Sequence, residues 1–307
     1  MSETTTPDVV VMVPCHNEEL TIGKVIDDFK RELPHARIVV VDNCCTDDTA
    51  AIAQAHGAKV IREPRKGKGN AVAAMFEQVR ADYYVMVDGD DTYSAASVHD
   101  LLEPVMSGHA DMVIGVRRSE DTAKSYRRFH LFGNRLVRGL VNVIFGAQLT
   151  DIMSGYRAYN QDVVRRIPIV SVGFEIETEM TIQMLYYRQK LVEVPTPYGS
   201  RPEGSFSKLS TFRDGFRVLW KIFSLFRAYK PLTFFGGIGL VLFVLGIVAG
   251  IPPLSDYFTG PSRYIHHVPL AILATGLVVL SATSTFLGVL LHAINWRFKE
   301  LHSLVTR

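Results

Sequence analysis

Apolar and polar positions along the chain alternate between two periods in its first 115 residues and change character after that. Val9 to Val13 is an apolar run closed by Pro14, the pattern of a buried parallel strand. A helical pattern follows from Glu18 to about Leu33, then a strand from Ile38 to Val41 that ends in Asp42-Asn43. Thr46 can cap a helix reaching about His56, and Val60-Ile61 is a third short strand. Gly69 to Arg80 reads as helix, and Tyr83 to Val87 as a strand running into Asp88-Gly89-Asp90-Asp91. A helix over about Ala95 to Met106 and a strand at Met112 to Ile114 complete the alternation. Strands and helices in this order predict a parallel sheet covered on both faces. Ligands bind such sheets at the carboxyl ends of the strands, where Pro14 to Glu18, Asp42-Asn43 and Asp88 to Asp91 all fall.

Residues 126–145 place Phe129, Phe132, Leu136, Val137, Leu140, Val141, Ile144 and Phe145 at helical spacing, interleaved with four arginines. Residues 211–230 repeat the theme, with Phe212, Phe216, Leu219 and Phe223 in a stripe and Arg213, Arg217 and Lys221 recurring every four residues. An apolar stripe with a basic flank suits a helix lying in a lipid headgroup layer, and for 126–145 it suits a core-facing helix equally well. Pro231 to Leu254 and Val268 to Ile294 contain no charged residue, and each exceeds the roughly 20 residues that cross a bilayer core. They predict a transmembrane hairpin around a short loop, Ser255 to His267, with one aspartate and one arginine. Basic residues crowd the outer flanks: Arg213, Arg217, Lys221, Arg227 and Lys230 before the first span, Arg297, Lys299 and Arg307 after the second. The positive-inside rule then places the amino-terminal domain and the carboxyl tail in the cytoplasm. The expected organisation is a cytosolic domain at 1–210, a juxtamembrane amphipathic helix at 211–230, a hairpin at 231–294 and a cytosolic tail at 295–307.

Bulk composition narrows the classes. A formal net charge of +2 on 307 residues gives no global signature of a nucleic-acid binder. Cys15, Cys44 and Cys45 match neither a disulfide framework nor a zinc site and read as reduced thiols. Met1 to Pro7 is polar and lacks the basic and apolar regions of a signal peptide, so the first domain is expected to stay on the side where it is made.

The carboxylates of Asp88-Gly89-Asp90-Asp91 sit on a turn where a hard divalent cation, with a diphosphate completing its shell, would compensate them. Acidic turns are common, so the neighbouring motifs carry the weight. Pro14-Cys15-His16-Asn17-Glu18-Glu19 and Asp42-Asn43 offer carboxylates and amides at two adjacent strand ends, suited to a base edge and a ribose hydroxyl. Lys66-Gly67-Lys68-Gly69-Asn70 opens the next helix, with glycines that allow close backbone approach and lysines that suit phosphate.

Together Val13-Pro14-x-x-Asn17-Glu18, Val41-Asp42-Asn43 with Thr46-Asp47-Asp48-Thr49, and Val87-Asp88-Gly89-Asp90 resemble the inverting glycosyltransferase family 2, whose fold is GT-A. Thr150-Asp151-Ile152-Met153-Ser154-Gly155-Tyr156-Arg157 and Arg201-Pro202-Glu203-Gly204-Ser205-x-Ser207-Lys208 narrow the resemblance to the polyprenyl-phosphate hexose synthases. It covers about residues 8–230.

The resemblance implies a Rossmann-like α/β domain of GT-A type, with amphipathic interface helices and a two-helix membrane hairpin. It implies a nucleotide-sugar donor, a polyprenyl- or dolichyl-phosphate acceptor at the membrane, and magnesium or manganese as cofactor; a homo-oligomer is allowed. A UDP-hexose or UDP-N-acetylhexosamine is favoured by analogy, with GDP-mannose open. Pro14, Asn17, Glu18 and Asp42 would line the nucleoside, Lys68 and Gly89 would also contact the nucleotide-sugar, and Asp88 and Asp90 would bridge metal and diphosphate. Arg117, Arg128 and Asn134 would face the acceptor phosphate, and Arg201, Ser205 and Lys208 would form a loop over both substrates. Asp88, Asp90, Arg117 and Arg201 are thus the expected catalytic group.

The chain departs from the family pattern at Thr92, where many members carry Gln, and at Cys44-Cys45, where small polar residues are usual. Asp151 and the glutamates from Glu175 to Glu179 read either as sugar-hydroxyl ligands or, for the glutamates, as helix N-terminal charge. A processive polysaccharide synthase is disfavoured because Asn295-Trp296-Arg297 lacks the Gln-x-x-Arg-Trp acceptor pattern. A non-lipid acceptor and a non-catalytic membrane scaffold are the remaining alternatives.

Overall fold

The computed structural model describes residues 7–118, 127–202, 204, 208, 211–259 and 264–305, without the side chains of 127–132, 211–212 and 302–305. The chain divides into two compact units, 1–222 and 223–307.

The first unit is built on a seven-stranded sheet. In chain order its elements are β1 (Val9–Cys15), α1 (Ile22–Glu32), β2 (Arg37–Asp42), α2 (Thr49–Ala55), β3 (Lys59–Arg62), α3 (Lys68–Gln78), β4 (Tyr83–Met86), α4 (Val98–Met106), β5 (Met112–Arg118), α5 (Arg127–Phe145), β6 (Arg157–Asn160), α6 (Gln161–Arg166), α7 (Ile176–Tyr187), β7 (Leu191–Pro197) and α8 (Thr211–Tyr229), the last crossing into the second unit. Strand order is β3-β2-β1-β4-β6-β5-β7. The five expected strands are present, but the sheet is mixed rather than all parallel. β6 runs antiparallel to both β4 and β5, while β5 and β7 are parallel. The insertion has a physical reason. Loop 151–156 must return across the end of β5, and an antiparallel strand brings it back over the carboxyl edge of β4.

Alternate residues of β1 feed two apolar clusters. Val11, Val13 and Cys15 pack with Ile22, Ile26 and Phe29 of α1 and Leu101 of α4. Val10 and Met12 pack with Val72, Met75 and Phe76 of α3 and Met180 and Met184 of α7. Burial on both faces accounts for the unbroken apolar run in the sequence. In α8, Val218 and Ile222 are buried, whereas Phe216 and Trp220 are exposed and stacked on each other.

The second unit pairs α9 (Pro231–Thr259) with α10 (Val268–Val305). By length and composition Pro231–Thr259 and Val268–Leu301 are each able to cross a membrane. Both helices overrun the apolar stretches predicted from sequence. Small residues let them close: a Cβ on Gly239 would lie 2.4 Å from Thr285 Oγ1, and Ser284 Oγ donates to the Phe235 carbonyl at 2.8 Å.

Candidate active site

The carboxyl edges of β1, β2 and β4 meet where the acidic motifs predicted a site. Asn17 takes a left-handed backbone, φ 56°, just after β1. Its Oδ1 accepts from Thr46 N at 2.8 Å and its Nδ2 donates to Thr46 Oγ1 at 3.1 Å. Asn17 thus clamps the loop after β1 to the loop after β2, and its amide is spent on that task. Thr49 Oγ1 accepts from Glu18 N at 2.8 Å and fixes the following turn. Pro14 and Asp42 are half-buried at the same edge, and Asp42 Oδ1 accepts from Cys45 N at 2.9 Å. Asn43, whose amide the sequence offers beside Asp42 for a base edge, is instead buried and engaged within the protein: Nδ2 donates to the Glu63 and Arg65 carbonyls, and Oδ1 accepts from Gly67 N at 2.7 Å.

The acidic turn is built with little slack. A Cβ on Gly89 would stand 2.7 Å from Cys15 Sγ, so only glycine fits between the two carboxylates. Thr21 Oγ1 donates to the Gly89 carbonyl at 2.6 Å. Asp90 is buried, and its Oδ1 accepts from Thr92 Oγ1 at 2.6 Å, which gives the atypical Thr92 a defined task. Its Oδ2 lies 2.5 Å from Arg201 Nη2. Asp88 Oδ1 lies 2.5 Å from Lys68 Nζ, and the same ammonium is 2.5 Å from Glu177 Oε1. Burial opposes the Lys68 charge, but Asp88 and Glu177 outweigh it and hold the ammonium above the ordinary lysine range. Glu18 is paired with Lys208 at 2.8 Å, and Lys208 Nζ also donates to the Asn17 carbonyl at 2.7 Å. Burial, only partly offset by Lys208, leaves the Glu18 carboxyl raised above its usual range.

Gly67 and Gly69 correct an expectation. Their close approach is to protein, not to an open phosphate cradle. Gly69 N donates to the Val172 carbonyl, and Cβ atoms on Gly67 and Gly69 would meet the Val172 and Ser171 carbonyls.

The second half of the domain adds the other wall. Arg117, near the end of β5, forks onto Asp151, with Nε and Nη2 at 2.7 and 2.8 Å from its two oxygens. Burial works against that guanidinium, but the Asp151 carboxylate holds it charged. It also lies 5.6 Å over the Tyr198 ring. Tyr93 ties this wall to the acidic turn: its hydroxyl accepts from Gly155 N at 3.1 Å and meets Ser154 Oγ at 3.2 Å. Gly155 in turn presses on Asp88.

Arg157 holds the whole 152–154 segment. It is fully buried, and it donates to the Ser154 carbonyl at 2.9 Å, the Ile152 carbonyl at 2.7 Å and Thr181 Oγ1 at 3.1 Å. Desolvation lowers its pKa. The sequence marks Arg157 only as the end of the 150–157 motif; its place between Ile152 and Thr181 shows its bracing role.

The structure therefore brings Pro14, Asn17, Glu18, Asp42, Lys68, Asp88, Gly89, Asp90, Arg117, Arg201 and Lys208 to one edge of the sheet. Asn134 is half-buried on α5 and is not hydrogen-bonded to any of these. The Arg128 side chain and Ser205 lie outside the described residues. The glutamates offered as sugar ligands or helix N-terminal charge all sit at the start of α7: Glu177 pairs with Lys68, Glu179 with Lys221 at 2.9 Å and with the Val170 and Ser171 amides, and Glu175 accepts from Gly173 N through Oε1 while its Oε2 has no hydrogen-bond partner among the described residues. Asp151 likewise serves Arg117.

Comparison with known proteins identifies the family. The family described as glycosyl transferase family 2 matches residues 10–167. The glycosyltransferase AglJ of Haloferax volcanii is 32% identical over 93% of this chain and 93% of its own length. The dolichyl-phosphate hexose transferase of the same organism is 31% identical over 70% of this chain and 92% of its own. Among solved structures, glucosyl-3-phosphoglycerate synthase from Mycobacterium tuberculosis, in complex with Mn2+ and UDP-glucose, superposes with a TM-score of 0.59 at 22% identity, covering 70% of this chain and 79% of that one. That likeness establishes the GT-A-like fold.

Proposed function

We propose, from the premise that this chain belongs to glycosyl transferase family 2, that it moves a hexose or N-acetylhexosamine from a nucleotide-sugar to a polyprenyl phosphate. A UDP-sugar is the favoured donor and GDP-mannose the alternative. The observation that carries the reading is the set of paired charges at the sheet edge: Asp88 with Lys68, Asp90 with Arg201 and Glu18 with Lys208. Carboxylates for a cation and basic groups for phosphates stand within one ion pair of each other.

Asp88 and Asp90 present hard oxygen donors, and their present partners are cations, so the pair fits magnesium or manganese. A cation held there would offset charge on the departing nucleoside diphosphate. Pro14 and Asp42 line the nucleoside side, Asn17 keeps the two loops in register, and Glu18 anchors Lys208. Arg117 and Arg201 orient the acceptor phosphate. A lipid phosphate is already anionic near neutral pH, so it needs positioning rather than deprotonation. One of its oxygens attacks the anomeric carbon as the bond from that carbon to the diphosphate oxygen breaks. The product is an inverted sugar phosphodiester, the nucleoside diphosphate leaves, and no general base is required.

α9 and α10 form the membrane hairpin in this reading, with α5 and α8 at the headgroups and the first unit on the cytoplasmic face. The basic residues that flank the spans, and the relative named for dolichyl phosphate, support this placement. The test is a transfer assay with detergent-solubilised protein, a short polyprenyl phosphate, Mg2+ or Mn2+, and UDP- and GDP-sugars in turn. Metal-dependent product from one donor, lost in Asp90→Ala, is expected. No product from any donor, with nucleotide binding intact, would promote a scaffold role.

A further inference from the structure

The reaction as described leaves one buried acid without a task. Glu177, in the first turn of α7, is 3% exposed. A carboxylate so placed costs stability unless paired, and an apolar residue would fill the space at no such cost. Its partner is the Lys68 ammonium, already shared with Asp88. The two carboxylates differ in access: the Glu177 side chain is 4% exposed and that of Asp88 is 27%. Lys68 cannot shift as a whole, because Gly67 and Gly69 on either side are seated against the Val172 and Ser171 carbonyls. The Val170 and Ser171 amides are themselves held by Glu179 Oε2. Only the ammonium end of Lys68 has a choice, and the choice lies between an outer and an inner acid.

We propose that Glu177 is a positioning residue: it is the counter-ion that takes the Lys68 ammonium when a divalent cation and a diphosphate engage Asp88, and it thereby sets the affinity of the site for the metal–nucleotide pair. A cation arriving at Asp88 meets Lys68 as a like charge a few ångströms away. With Glu177 ionised behind it, Lys68 keeps a full partner while Asp88 is released. Without that charge, Lys68 has Asp88 alone, and the cation must break the pair with no refuge for the ammonium. This role rests on the glycosyl-transfer reading of the same site.

The experiment is a Mn2+ titration by electron paramagnetic resonance of the full-length protein in detergent, with UDP and separately with GDP. Wild type, Glu177→Gln, Lys68→Met and the double variant are compared. Glu177→Gln is expected to weaken Mn2+–nucleotide binding by about tenfold or more, in the range for groups that orient metal ligands. Lys68→Met/Glu177→Gln is expected to bind Mn2+ with nucleotide more tightly than Glu177→Gln, because no ammonium then competes for Asp88, yet to stay short of wild type because the Lys68 contact to the diphosphate is gone. Such a recovery separates the role from damaged folding, which a second deletion would not repair. In transfer assays Glu177→Gln raises the donor KM and leaves the acceptor KM unchanged. Unchanged Mn2+ binding in Glu177→Gln, or a double variant no tighter than Glu177→Gln, overturns the counter-ion role. A wild-type protein that binds Mn2+ with neither nucleotide overturns the glycosyl-transfer reading itself, and the counter-ion role falls with it.

Discussion

Replacing Gly155 by alanine puts one methyl group against the first carboxylate of the acidic turn. The Cβ would stand 2.4 Å from Asp88 Oδ2 and 2.8 Å from its Cγ, well inside contact distance. Gly155 does not occupy the left-handed region, so alanine meets no backbone penalty of its own there. The carboxylate must rotate, which turns away the oxygens that would hold the cation and the diphosphate charge. A hydrogen bond to a charged group is worth about 1.5–3 kcal/mol, and an off-rotamer side chain costs about 0.5–1.5 kcal/mol. If about 2–4 kcal/mol of this is lost from the transition state, kcat/KM falls by roughly 30- to 1000-fold. Crowding of a packed site destabilises the fold by about 1–3 kcal/mol. The assay is sugar transfer at saturating acceptor and metal, run beside urea unfolding of the same preparation. Gly155→Ala with kcat/KM within threefold of wild type would refute the reasoning. So would a loss that merely tracks the unfolded fraction.

Other outcomes follow from the same geometry. Arg157→Met leaves the Ile152 and Ser154 carbonyls without their donor and should cost about 2–6 kcal/mol, at about 1–3 kcal/mol per buried unsatisfied group; denaturant unfolding measures it, and a change under 1 kcal/mol would contradict the bracing role. Asp151→Asn removes the charge that orients Arg117 and should raise the acceptor KM more than the donor KM, which steady-state kinetics with each substrate varied will decide. Glu18 has a folded pKa above its unfolded value, so the native state holds the extra proton and stability falls as pH rises from the unfolded pKa through the folded one. Glu18→Gln should flatten that part of a stability–pH curve, and an unchanged slope would count against the assignment. Burial, with Asp42 nearby, pushes the Cys45 thiol up to about 11 from 9.0. Its thiolate fraction at pH 8 is then about one hundredth that of a free cysteine; iodoacetamide labelling read by peptide mass spectrometry should show Cys45 slow to the same degree.

Much of the first half of the sheet was legible in the sequence because its strands are buried on both faces and end in polar clusters. Val9–Cys15 into Asn17-Glu18, Arg37–Asp42 into Asn43 and Tyr83–Met86 into Asp88 repeat one grammar, and each motif falls at a carboxyl end. The second half follows no such rule. β6 is four residues, Arg-Ala-Tyr-Asn, with neither alternation nor an apolar run, and it exists because β4 and β5 offer it partners on both sides. Arg157 shows in the sequence only as the end of a motif and Glu177 only as one of three glutamates; tertiary packing buries both and gives them partners. The glycines of 66–70 were read correctly as sites of close approach, but what approaches is the 171–172 backbone, more than 100 residues away. Thr92 was visible only as a departure, and its bond to Asp90 gives the departure a reason.

Lipid phosphate as the direct nucleophile is the centre of the account, and one comparison tests it. Full-length protein in detergent is given one active nucleotide-sugar, with metal, and either a polyprenyl phosphate or the matching polyprenol. Transfer to the phosphate alone, giving a sugar phosphodiester of inverted configuration by NMR, is the expected result. Equal transfer to the polyprenol would mean that a hydroxyl is deprotonated in this site, and would contradict a mechanism without a base.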